Sequence, residues 1–341
     1  MLALALAGPA GADTIRLATW SPDLTRKGPG LLLADIRSGK DAQVAAAVQV
    51  IVAADADVLL LTGFDWDHDG TALAAFAETL ARAGADYPHR FAAQPNSGMA
   101  TGLDLDDDGR LGTADDAQGF GLFIGQGGMA VLSRLPLGPV MDHTAVLWRD
   151  LPGNLMPPAA PEVAAAQRLS STAHWEIPVA AGETTLRLLA YAATPPVFDG
   201  DEDRNGRRNH DETAFWRDRL PADRFVVLGD INLDPADSEG RREALDRLLA
   251  RVRDPLPRSA GAAAAPQDGA NARHKGDPAL DTADWPDADG PGNLRVDYVL
   301  PSPDLNVTGS GVIWPAPGQP LHDAAMAASR HRLVWVDLAL P

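Results

Sequence analysis

The stretch Val226-Val227-Leu228-Gly229-Asp230-Ile231-Asn232-Leu233-Asp234-Pro235 reads as a buried strand that runs out into polar residues. Side chains alternate along an extended chain, so Asp230 and Asn232 leave the strand's C-terminal mouth on the same side. A carboxylate there can orient or deprotonate a water. A carboxamide can donate to a phosphate oxygen without adding charge. The same residue types also make an Asx-turn that does no more than end a strand, so the stretch alone leaves both readings open.

Two further strings tip the balance. Leu294-Arg295-Val296-Asp297-Tyr298-Val299-Leu300 places an acid inside an apolar strand, and Ala328-Ser329-Arg330-His331-Arg332-Leu333-Val334-Trp335 places a histidine just ahead of another. A buried Asp is costly unless paired, and a nearby carboxylate stabilises the protonated form of a His. Outward from these strings, short β-branched runs predict strands at Thr14–Trp20, Val58–Thr62, Met129–Ser133, Leu186–Tyr191, Arg224–Leu228, Arg295–Leu300, Asn306–Trp314 and Leu333–Leu338. Helical spacing marks Asp41–Ala54, Ala72–Ala83 and Glu239–Val252. Strands from both ends of the chain, mixed with helices without strict alternation, predict an α+β fold of packed sheets under outer helices. Pro152–Pro161 and the Ala/Gly/Pro/Asp-rich 254–292 stretch are expected as surface loops within one domain.

The order GDxN, then RVDYVL, then SxH before the last strand resembles the endonuclease/exonuclease/phosphatase superfamily, whose fold is deoxyribonuclease-I-like. Leu17–Ser21 and Asp57–Asp65 look like that family's first two motifs, and Tyr191–Pro196 like its central one. The resemblance covers nearly all of residues 13–341. It implies a four-layered α/β sandwich, two packed mixed β-sheets flanked by helices, that hydrolyses phosphate esters with Mg²⁺ or Mn²⁺. It also implies catalytic roles for Asp230, Asn232, Asp297 and His331.

The departures from the family pattern are concentrated. Ser21 stands where the family has a metal-associated Asn, Gly63 where it has the metal-ligating Glu, Ala192 where it has the phosphate-contacting His, and Arg330 where it has an Asp. Magnesium takes hard oxygen ligands and is anchored by carboxylates. Losing one and gaining a guanidinium both disfavour it. The expectation is a degenerate site that binds a phosphorylated small molecule, another anion or a protein partner, with Arg330 gripping phosphate in two-pronged fashion. The alternative is an active metal-dependent phosphoesterase, a phosphodiesterase or nuclease, whose ion is recruited by a neighbour such as Asp65.

Two acidic stretches fit the spacing of a calcium loop. One is Asp201-x-Asp203-x-Asn205-Gly206 with Asn209 and Glu212; the other is Asp104-x-Asp106-x-Asp108-Gly109 with Asp115. Asp/Asn/Gly turns also arise readily in a chain with 47 acidic against 29 basic residues. The resulting charge of −18 repels nucleic acid at long range. With no cysteine, disulfides, thiolate metal sites and Cys nucleophiles are excluded. A Leu/Ala run ending in Ala10-Gly11-Ala12 predicts a signal peptide over residues 1–12, though no positive residue precedes it, and a periplasmic or secreted product. No later stretch reaches the roughly 18 consecutive apolar residues of a membrane span.

Overall fold

Every apolar run singled out above becomes a strand in the computed structural model, which describes residues 14–340; the expected signal peptide lies outside the described residues. In chain order the strands are β1 (Thr14–Trp20), β2 (Val58–Phe64), β3 (His89–Phe91), β4 (Gly128–Ser133), β5 (Met141–Asp142), β6 (His174–Ala181), β7 (Thr184–Ala192), β8 (Phe225–Asp230), β9 (Ala283–Asp284), β10 (Asn293–Leu294), β11 (Asp297–Pro301), β12 (Asn306–Val312) and β13 (Val334–Ala339). One sheet has the order β12-β13-β1-β2-β4-β3 and the other β11-β8-β7-β6-β5, while β9 and β10 form a short ribbon. Each large sheet holds one parallel pair, β1 with β2 and β7 with β8, among antiparallel neighbours.

Alternation sets the layers. Leu17, Val58, Leu60, Val131, Val334 and Val336 of the first sheet meet Trp175, Ile177, Leu188, Ala190, Val226, Leu228 and Val299 of the second, forming a buried core between the sheets. The opposite face of the first sheet, with Ala18, Trp20, Leu59 and Leu61, packs under the helices α1 (Leu31–Ser38), α2 (Ala42–Ala54) and α3 (Thr71–Arg82). The Asp41 carboxylate caps α2 by accepting from Val44 N. On the far side, Leu189, Tyr191, Val227 and Tyr298 pack against Phe215, Trp216, Leu245 and Leu248. Those residues belong to two helices further along the chain, Arg204–Arg217 and Glu243–Leu249. Helix, sheet, sheet, helix is the four-layered sandwich that the resemblance implies.

The intermediate helix Pro161–Ala166 is α4, which makes Arg204–Arg217 α5 and Glu243–Leu249 α6; Ala260–Ala264 is α7 and His322–Ala328 is α8. The 254–292 stretch corrects the expectation of a bare surface excursion. It contains α7 and β9, buries Ala262, Ala270, Ala279, Thr282 and Ala283, and bonds to the chain ahead of β13 through Arg332 N to Thr282 O and Asp284 N to Arg330 O. Its small residues allow close packing without a periodic apolar stripe, so hydrophobic spacing gave no warning.

The site's placement follows from topology. The C-terminal ends of both parallel pairs point the same way as the N-terminal ends of their antiparallel partners β11 and β13, so six chain segments open onto one crevice between the sheets.

Candidate functional site

Register places Ala192, Asp230 and Asp297 in one row across β7, β8 and β11. Asp230 continues the inward-facing positions of Val226 and Leu228, and Asp297 that of Val299, so both acids sit at the top of the apolar core between the sheets. His331 reaches them from the segment before β13, its Nδ1 lying 2.9 Å from Asp297 Oδ2. The same Oδ2 accepts the Thr282 hydroxyl at 3.0 Å. The backbone aims the ring: His331 N donates to Ser329 Oγ, and His331 O accepts from the Trp20 indole.

Burial works against charge on this imidazole, but Asp297 and Asp230 outweigh it and hold the ring up to about 9. It is therefore an imidazolium at neutral pH. Burial pushes Asp230 up to about 7, with His331 pulling down and Asp297 pushing up. Asn232 takes the left-handed backbone conformation at φ 54°, which Asn tolerates better than most residues. Its N–H donates to Asp230 Oδ1 at 3.0 Å and its carboxamide donates to Ala193 O at 2.9 Å. The four side chains retained from the family pattern thus converge.

The opposite rim differs. Gly63 lies in an irregularity of β2 between Leu61 and Phe64, with φ +60°. A Cβ added there would lie 2.8 Å from Ser21 Oγ. This position has no carboxylate, and on the present backbone a side chain would have to hold a left-handed conformation and displace the Ser21 hydroxyl. Asp65 is already engaged, accepting from Arg26 N at 2.8 Å and Gly127 N at 2.9 Å; burial raises it to about 6. It fastens two loops together. Arg330 is exposed and forms no ion pair among the described residues. The buried guanidinium of this segment belongs to Arg332, which donates to the carbonyls of Ser329, Ala325 and His331 and pairs with Asp284 at 3.3 Å.

The expected calcium loop at Asp201 does not form. Asn205, Asn209 and Glu212 lie on the helix α5 rather than around a turn, and Asp203 pairs with Arg241 at 2.6 Å. Both of the more distal residues are buried and face inward. Glu212 Oε1 accepts from Ser171 N and Oγ, and its Oε2 accepts from Thr194 N. Asn209 Nδ2 donates to Thr194 O and Ile231 O. They clamp the segment after β7 to the segment after β8, which positions Asn232. At the second acidic stretch, Asp104, Asp106 and Asp108 converge, with Asp108 N and Gly109 N turned onto Asp104. Asp115 is exposed and outside that cluster.

Sequence reasoning also missed Thr282, which braces Asp297, and Trp285, whose ring stands edge-on to His331 at 5.3 Å between centroids. Both lie in the stretch read as a loop, and only the unusual Thr and Trp amid its Ala and Asp residues hinted at them.

The sequence profile described as the Endonuclease/Exonuclease/phosphatase family matches residues 34–331. The chain belongs to this family. No curated protein sequence matches it. Among solved structures, it is similar to an endonuclease/exonuclease/phosphatase from Beutenbergia cavernae at 19% identity and TM-score 0.56, covering 96% of this chain and 72% of that one. A family protein from Leptotrichia buccalis aligns at 15% identity and TM-score 0.53, over 96% of this chain and 100% of its own. A Staphylococcus aureus beta toxin with bound magnesium ions aligns at 10% identity and TM-score 0.51, over 95% and 99%. At these identities the likeness is one of fold.

Membership in the endonuclease/exonuclease/phosphatase family implies a divalent ion, and the residues can be tested against one. Asp230, Asp297 and His331 each bring an atom within 4.8 Å of the others. Magnesium, however, demands near-octahedral oxygen ligation. Here one donor is an imidazole nitrogen that favours a proton, Asp297 Oδ2 already accepts from His331 and Thr282, and Gly63 supplies nothing. The buried Asp297 Oδ1, without a hydrogen-bond partner, is the one uncommitted oxygen of that pair. This donor set does not fit the family's magnesium. The charge of the two acids is met instead by a protonated ring.

Proposed function

We propose that this family member binds a phosphorylated small molecule, or another compact anion, at the crevice and hydrolyses phosphate esters weakly or not at all. The observation that carries this reading is Gly63: the position that corresponds to the family's metal-ligating acid is a glycine at φ +60°, where a Cβ would meet the Ser21 hydroxyl at 2.8 Å. Three groups remain to receive an anion. The His331 ring donates through Nε2, the Asn232 carboxamide has a second N–H, and Asp230 is half protonated near pH 7 and donates when neutral. The exposed Arg330 adds positive charge at the rim. Since an arriving phosphate favours a neutral Asp230, binding takes up a proton and tightens as pH falls toward about 7, levelling off below it.

The test pairs an assay with a titration. Purified protein is incubated with p-nitrophenyl phosphate, its bis ester and plasmid DNA, with Mg²⁺, Mn²⁺ or Ca²⁺ in turn, and inorganic phosphate binding is measured by calorimetry at pH 6 and pH 8. Binding without turnover is expected. Turnover abolished by Asp230→Ala would instead establish the competing reading, an active metal-dependent phosphoesterase, which draws support from the convergence of Asp230, Asp297 and His331. A protein partner in place of a small anion would show as calorimetric silence toward phosphate. The net charge of −18 argues against nucleic acid. Export to the periplasm or medium is part of the proposal and rests on residues 1–12; cell fractionation with and without that segment decides it. No helix among the described residues is long and apolar enough to cross a membrane.

A further inference from the structure

The residues at the ends of the segments that meet at the crevice, Ser21, Gly63, Ala192, Asp230 and Asn232, are small or polar. Trp20, Trp148, Trp175, Trp216 and Trp314 are buried in the cores, whereas Trp285, like Trp66 and Trp335, is half-buried. Trp285 packs beside Ala283, Leu294 and Val296 and stands at His331. Among the described residues it is the one aromatic ring paired with His331, edge-on at 5.3 Å and 82°. Its indole N–H has no hydrogen-bond partner among the described residues and is not buried away from solvent.

The backbone holds the ring in place beforehand. Ala283 bridges to His331, Asp284 N donates to Arg330 O, and Trp285 N donates to Gly292 O to close the turn between β9 and β10. The far side of that turn is pinned where Ala270 N and Asn271 Nδ2 both donate to Asp287. A flat surface held beside polar groups that can receive an anion, with a free donor on its edge, is suited to read whatever a phosphate carries.

We propose that Trp285 is the specificity-determining wall of this crevice, and that its ligand is a phosphate ester bearing a flat aromatic or heteroaromatic group close to the phosphorus. This rests on the phosphate-binding reading above. Stacking against the indole adds to phosphate contacts that any phosphate ester makes. An aryl ester should therefore bind about three- to tenfold more tightly than an alkyl ester of similar size, the range expected of one aromatic pair.

Calorimetric titration of the full chain with inorganic phosphate, butyl phosphate and phenyl phosphate tests this. The comparison is made on the wild type, Trp285→Leu and Trp285→Phe. The expected result is a preference for phenyl over butyl phosphate in the wild type, retained in Trp285→Phe and lost in Trp285→Leu, read as the ratio of the two ester affinities within each protein. Equal affinity for the two esters in the wild type overturns the proposal without touching the phosphate reading, as does a phenyl preference that survives in Trp285→Leu. Failure of all three compounds to bind the wild type removes both. The wild-type comparison decides the matter even if a variant folds poorly.

Discussion

At one rim of the crevice the His331 ring and the Thr282 hydroxyl both engage one oxygen of Asp297, at 2.9 and 3.0 Å; at the other, Ser21 and Gly63 present no charge at all. Both rims belong to one pocket in one fold. The difference teaches that a buried acid can be met by a proton held on a neighbouring ring. On the proposed reading, Gly63 is more than a lost side chain. The backbone at Gly63 has taken a conformation that disfavours any replacement, and Ser21 occupies the space beside it.

The contrast between the rims is most sharply tested by truncation. Asp297→Ala removes the partner of a buried imidazolium and is expected to cost about 3–5 kcal/mol in urea unfolding. Ser21→Ala, on the uncharged rim, should cost less than about 1 kcal/mol. Comparable losses at both positions would erase the distinction. Next in size is a pH effect. His331 is raised from an ordinary 6.5 to about 9, so its stabilisation is fully present below pH 6.5 and disappears as pH climbs through 9. The melting temperature should fall over that interval, and His331→Gln should flatten the decline; an equally steep fall in that variant would show that another group governs it.

At the Gly63 rim, Gly63→Ala is expected to lose about 1–2 kcal/mol from the left-handed backbone, plus a contact cost that Ser21→Gly relieves in the double variant. Gly63→Glu alone should yield no phosphodiesterase activity, and a clear gain would mean that the backbone relaxes freely. The smallest expected effect lies away from both rims. If calcium fills the turn of Asp104, Asp106 and Asp108, a free concentration several times its Kd raises stability by about 1 kcal/mol, and Asp106→Ala abolishes the gain. Identical melting curves in calcium and in chelator would remove the ion from the description.

What could be read in the sequence were the elements whose buried faces are apolar. β1, β2, β7, β8, β11 and β13 announced themselves by β-branched runs, and the spacing of Asp230, Asn232, Asp297 and His331 against those runs located the site. α5 was misread because its buried face is polar until the last turn, where Phe215 and Trp216 enter the core. Arg208, Asn209, Asp211 and Glu212 are all inside, so no hydrophobic stripe marks the helix and the same residues imitate a calcium loop. The β9 segment was missed for a related reason: it is held by backbone bonds and a threonine hydroxyl, neither of which leaves a periodic trace. The family resemblance sets Arg330 where an acid is expected, but only the structure separates an exposed Arg330 from a buried Arg332 two residues on.

Glu212 has a dynamic consequence. Its single carboxyl group receives the amides of Ser171 and Thr194, so neither segment can lift without leaving a buried oxygen short of a donor. The two should open together or not at all. Deuterium uptake at those amides would then share one slow rate, and a ligand entering the crevice would meet a wall that behaves as a single cooperative body.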